Sequence, residues 1–136
     1  MTITPFDQIL ETFDLMDDWE ERYVYLIDMG RNLPDFPEEY RDDAHLVPGC
    51  TSRVWLVLGW DADNKLSIQA DSDAHIVRGL VAVLLSLYAG KTAAELAEID
   101  VEAAFAKLGL DQHLSPSRRN GFFSMVGQVQ SFSLVG

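Results

Sequence analysis

Residues 53–88 read RVWLVLGWDADNKLSIQADSDAHIVRGLVAVLLSLY, and the spacing of apolar side chains changes period partway along. Arg53 to Trp60 is β-branched and aromatic, Asp61-Ala62-Asp63-Asn64 is turn chemistry, and Leu66 and Ile68 then alternate with polar neighbours as far as Ala70. This pattern predicts an antiparallel hairpin. Asp71-Ser72-Asp73 offers a choice of N-caps for a helix over 74–88. Ile76, Val77, Leu80, Val81, Val83, Leu84, Leu85 and Leu87 cover most of that helix's circumference, so it belongs at the buried centre. The expected fold is α+β: a small antiparallel three-stranded sheet with helices packed on one face, His45 to Val47 supplying the short third strand.

Further out, the helical period takes over on both sides. Thr4-Pro5 reads as N-cap and N1 of a first helix carrying Phe6, Ile9, Leu10, Phe13 and Met16. Asp18, with Glu21 three residues on, starts a second that presents Trp19, Tyr23, Leu26, Ile27 and Gly30 and ends near Leu33-Pro34. Residues 34–43 are proline-bearing and acidic, a surface connection with a helical turn at 38–41. Downstream, Thr92 and Glu95 form a capping box, Asp100 caps a helix ending at Leu108-Gly109, and Ser115-Pro116 launches a terminal helix bearing Phe122, Phe123, Met125, Val126 and Val129. No repeat or long linker divides residues 1–136, which read as one domain of ordinary size.

Charge narrows the choice of partner. The chain carries 22 Asp and Glu against 10 Lys and Arg, a formal net charge of -12. A phosphate backbone is repelled by such a field, so nucleic acid is excluded and a basic patch on another protein is favoured. The longest apolar stretch, 79–90, falls well short of the ~20 residues that cross a bilayer. The first residues, MTITPFDQILETFD, lack the basic and apolar regions of a signal peptide, which places the expected protein in the reducing cytoplasm.

The single cysteine, Cys50, lies in Val47-Pro48-Gly49-Cys50-Thr51-Ser52-Arg53-Val54-Trp55, where the chain bends into the hairpin. One thiol can neither close an internal disulfide nor supply a tetrathiolate zinc site. Two readings stand side by side: a buried inert side chain, the commoner fate of free cysteine, and a reactive sulfur on a loop. Pro48-Gly49 is loop chemistry, and Arg53 three positions on could stabilise a thiolate. Paired with His113, Cys50 could also serve a thiol hydrolase or transferase. That chemistry further needs a group orienting the base and an oxyanion site, for which the sequence offers no candidates.

Four blocks together resemble the SufE-like sulfur acceptors, including the related CsdE proteins. They are Trp19-Glu20-Glu21-Arg22-Tyr23 with Leu26, Ile27 and Gly30; the Pro48–Trp55 loop; Asp71-Ser72-Asp73-Ala74-His75-Ile76-Val77-Arg78-Gly79-Leu80; and residues 108–121, LGLDQHLSPSRRNG. Any one is weak alone, but four in order are specific. The resemblance implies the fold that this family shares with IscU-type scaffolds. It also implies a persulfide carrier, an accessory sulfur-transfer protein rather than a stand-alone enzyme. In such proteins the cysteine matched by Cys50 takes sulfur from a pyridoxal-phosphate-dependent cysteine desulfurase of the SufS or CsdA kind. It then passes the sulfur to an iron–sulfur scaffold or another acceptor.

By the same resemblance, Arg118 matches an arginine near the cysteine loop that could stabilise thiolate or persulfide, against a plain surface ion pair. Asp73 matches an aspartate supporting the loop, against a plain N-cap. The carrier holds no cofactor and no metal of its own, and a homodimer is compatible with everything read so far. Thr51 and Arg53 stand where many relatives have glutamine. A regulator that binds a desulfurase without carrying sulfur is the third reading.

Overall fold

The computed structural model describes residues 3–50 and 52–135, so Thr51 lies outside the described residues. In chain order the elements are α1 (Phe6–Asp14), α2 (Trp19–Arg31), β1 (Val54–Trp60), β2 (Leu66–Ser72), α3 (His75–Tyr88), α4 (Ala93–Ala97), α5 (Val101–Lys107), α6 (Leu110–His113) and α7 (Pro116–Val135). Short 3₁₀ turns at Glu38–Tyr40 and Asp43–His45 bridge α2 to the hairpin.

The hairpin forms where the alternation places it. Val54 pairs with Ser72 and Trp60 with Leu66 in one antiparallel register. Its turn is built by Asp61, whose Oδ1 accepts from the backbone N–H of Asp63 at 2.8 Å and of Lys65 at 3.0 Å. Asn64 takes φ +60°, a left-handed conformation that asparagine tolerates better than most residues.

The sheet has two strands among the described residues, which corrects the expected three. Leu46 makes only an isolated bridge to Trp55, through one backbone bond from Val47 N–H to Val54 O at 2.8 Å. The reason is local. Asp42 caps the 3₁₀ turn that ends at His45, and a Pro48-Gly49 turn follows Val47, so too few residues are left to run extended.

α3 is buried almost all round, from Val77 through Leu80, Val83, Leu84 and Leu87 to Tyr88. Each such aliphatic side chain contributes about 1.5–3 kcal/mol by leaving water. It packs on β2 and crosses α2 and α7. The α2 crossing is unusually close because a glycine stands on each helix. A Cβ on Gly30 would lie 2.7 Å from Gly79 N, and one on Gly79 would collide with the Leu26 carbonyl.

Three helix starts differ from expectation. α1 begins at Phe6 with Pro5, not Thr4, in the cap position and no side-chain cap. The Asp71-Ser72-Asp73 trio does not supply the N-cap of α3. Ala74 occupies that position, and only Ser72 Oγ serves the helix entrance, accepting from Ala74 N–H at 3.2 Å. An extra short helix, α6, follows Gly109, whose φ of +74° sets the bend. Thr92 and Glu95 form both bonds of their capping box, and Asp100 accepts from Ala103 N–H.

Candidate functional site

The Cys50 loop is shaped by two residues and leans on a helix. Pro48 followed by Gly49 at φ +86° has the order and sign of a type II turn, whose third position strongly favours glycine. A Cβ on Gly49 would also come within 3.0 Å of Ser124 Oγ on α7. Cys50 itself is half-buried. Its Sγ donates to the carbonyl of Gly121, also on α7, at 3.7 Å. A Cβ built on Gly121 would sit 3.6 Å from that sulfur, in ordinary van der Waals contact, so the thiol rests directly on this turn of the helix.

Burial pushes the Cys50 thiol above its ordinary pKa. The thiolate is the nucleophilic form, so the resting sulfur is sheltered and mostly protonated at neutral pH. A pocket of about 200 Å³ opens beside it, lined by Cys50, Ser52, Val54, Val77, Ser117, Arg118 and Gly121. On the loop's other side a more open depression of about 390 Å³ includes Pro48, Gly49, Ser52 and Arg53. Cys50 and Ser52 line both.

Arg118 comes to the pocket from the first turn of α7, where its N–H donates to Ser115 Oγ at 3.4 Å. Its side chain is exposed, and among the described residues no carboxylate lies within ion-pair distance of it. Asp73 fastens the far end of the loop. Its Oδ1 accepts from Arg53 N–H at 3.1 Å, while Arg53 O accepts from Asp73 N–H at 3.2 Å and from Ser72 Oγ at 2.7 Å. The Arg53 side chain is solvent-exposed and faces the open depression.

Beneath this clamp, buried Asp71 accepts from Arg41 at 2.5 Å. Arg78 Nε is 2.9 Å from the other carboxylate oxygen but is not aligned to donate, so that contact is an ion pair without a hydrogen bond. Arg41 also lies over the rings of Phe36 and Trp55.

His113 is placed elsewhere. Its ring stacks on Trp19 at 4.1 Å, its carbonyl accepts from the Tyr23 hydroxyl, and it does not line the Cys50 pocket. That pocket's lining contains neither an imidazole nor a carboxylate. Among the described residues no three His, Cys, Asp or Glu side chains converge as metal ligands would. Sequence reasoning includes Val77, Ser117 and Gly121 in motif blocks but gives them no role beside the sulfur, and it misses Ser124 against Gly49. A glycine inside a helix, just before its apolar Phe122-Phe123 run, where it costs stability, is the available signal for Gly121.

Comparison with known proteins adds four findings. Residues 7–133 match the SufE family, described as an Fe-S metabolism associated domain. The chain is similar to an uncharacterized SufE-like protein of Rhizobium meliloti, 46% identical over 132 residues, covering 95% of this chain and 94% of the relative. It is likewise similar to an uncharacterized SufE-like protein of Rhizobium etli, 47% identical over 132 residues, covering 95% and 89%. In fold it is similar to a hypothetical protein of Thermus thermophilus solved in solution. The TM-score is 0.76 at 18% identity, over 100% of both chains.

Proposed function

This chain belongs to the SufE family, and from that premise we propose that it accepts sulfur from a cysteine desulfurase on Cys50, stimulates that enzyme and hands the sulfur on to iron–sulfur cluster assembly in the cytoplasm. The observation that carries this reading is the seat of Cys50. It is a lone thiol on a glycine turn, half-buried against Gly121, beside a guanidinium with no carboxylate partner among the described residues.

The transfer balances without an outside oxidant. The Cys50 thiolate attacks the outer sulfur of the desulfurase cysteine persulfide, forming a new S–S bond. The old S–S bond breaks, the desulfurase cysteine leaves as thiolate, and the Cys50 proton passes to solvent or a base of the partner. Pyridoxal phosphate belongs to the desulfurase and acts before this step. Arg118 then serves as the cation beside the persulfide anion, and the Asp73 clamp holds the loop's base while its tip moves. A raised resting pKa fits a carrier that becomes nucleophilic only when a partner draws the thiol out of its seat. With one cysteine in the chain, a loaded persulfide has no neighbouring thiol to convert it into an internal disulfide.

The test is to incubate the protein with a SufS-type desulfurase and L-cysteine, following sulfide release and intact mass. Stimulated desulfuration and one added sulfur on Cys50 are expected, both lost in Cys50→Ala. Stimulation by Cys50→Ala equal to wild type would replace the carrier by a non-transferring regulator. The hydrolase reading is disfavoured by the absence of His113 from the pocket, and ester turnover without a desulfurase would revive it.

A further inference from the structure

A second surface, sharing no residue with the Cys50 pocket, lies on the outer side of α2. Met16, Val24 and Tyr25 form an open apolar groove of about 530 Å³, rimmed by Glu20, Glu21 and Asp28. Among the described residues three large apolar side chains are mostly exposed, Leu15, Val24 and Leu134. One of them, Val24, lines the groove. Val24 is not held by the core: α2 buries Leu26, Met29 and Gly30 on its opposite side, and of the groove's apolar residues only Tyr25, beside Phe13, packs inward. An exposed valine grouped with two half-buried apolar side chains inside a charged rim marks a contact site rather than the ordinary scatter of surface hydrophobics.

The rim specifies the occupant. Among the described residues no cation lines the groove: Arg31 is drawn to Asp28 at 3.3 Å, and Arg22 is turned inward, donating to the carbonyls of Phe13 and Met16 over the Phe13 and Trp19 rings. A second copy docked by two-fold symmetry would set Glu20, Glu21 and Asp28 against themselves, and nucleic acid or an anionic membrane would meet the same acids. We propose that this groove docks a cationic amphipathic helix of a partner protein, an apolar anchor seated between Met16 and Val24 and Lys or Arg side chains facing Glu20 and Glu21. Apolar anchors along one helix face laid into a groove are a recurrent mode of peptide recognition, and the rim charges select its sign.

The probe is a fluorescein-labelled amphipathic Leu/Lys peptide of fourteen residues, titrated by anisotropy into the full chain with NMR mapping of the perturbed backbone amides. Binding with a Kd on the order of 10 µM is expected, with shifts gathered at residues 16–28. Val24→Asp removes the apolar contact while leaving the chain more acidic, so tenfold weaker binding there identifies the groove. Val24 is exposed, and circular dichroism checks that the variant keeps its fold. Glu20→Lys with Glu21→Lys is expected to weaken binding at least tenfold. Ala62→Lys with Asp63→Lys, at the exposed hairpin turn, is expected to change it less than twofold. Cys50→Ala is expected to bind as wild type, which separates this proposal from sulfur transfer. The proposal is overturned by undiminished binding to Val24→Asp, by equal losses at the hairpin turn, by equal affinity for a Leu/Glu peptide, or by no binding. Sedimentation showing a dimer that Val24→Asp dissolves would assign the groove to a second copy instead.

Discussion

At the scale of single residues, the chemistry is set by what surrounds one sulfur. Because burial raises the Cys50 pKa, alkylation by iodoacetamide should reach half its limiting rate at a higher pH in the folded protein than in the denatured chain. The same shift has a stability sign. Its contribution is complete below the unfolded thiol's pKa and declines as pH rises from there through the folded value. Cys50→Ala should therefore flatten the alkaline loss of stability seen in urea titrations. Arg118→Ala should slow persulfide transfer about tenfold, the loss of one charge-assisted contact of ~1.4 kcal/mol, with partial rescue by Arg118→Lys. Stopped-flow transfer from a loaded desulfurase measures this, and an unchanged rate would return Arg118 to the role of a surface charge. Cys50 was legible in the sequence because it is alone. Its elevated pKa was not, since Arg53 nearby in sequence implied the opposite direction, and only the folded chain turns that side chain toward solvent.

At the scale of elements, glycines of similar appearance in sequence have opposite consequences. Gly79→Ala forces a methyl into the backbone of α2 and should cost about 3 kcal/mol or more in urea unfolding. Gly127, on the exposed side of α7, has nothing within 4 Å of where a methyl would stand, and its replacement by alanine should gain about 0.5–1 kcal/mol. Gly49→Ala combines a positive φ with a 3.0 Å approach to Ser124 and should loosen the Cys50 turn, seen as faster alkylation at fixed pH. Periodicity located the hairpin and α3 because burial on one face or all faces leaves a direct imprint on composition. It failed at His45–Val47, where three residues looked like a strand but the turns on either side allowed one bridge. It also could not separate the acids of 71–73. Any short polar side chain before a helix resembles a cap, and the structure gives Asp71 to arginines and Asp73 to the neighbouring backbone.

At the scale of the whole molecule, α3 holds the others together, and the Asp71 cluster ties the 38–45 segment, the end of β2 and the start of α3 beside the Cys50 loop. Asp71→Asn should destabilise the protein by about 2 kcal/mol, partial exposure of both arginines limiting the loss, and should raise amide exchange at 41–53 more than in α3. Equal exchange in both places would show a general loss of stability rather than a loosened loop. Fold class was readable from residues 53–88 alone, whereas the seat of the sulfur was not, because its two sides come from distant parts of the chain. The Cys50–Gly121 contact joins positions 71 apart. During synthesis at ~5–20 residues per second, the thiol is therefore made roughly 4–14 s before the backbone that shelters it. A nascent chain passes through an interval in which the thiol is more open to oxidants than in its half-buried seat on α7. Pulse alkylation of ribosome-stalled chains should find Cys50 fully reactive until α7 has emerged and protected afterwards.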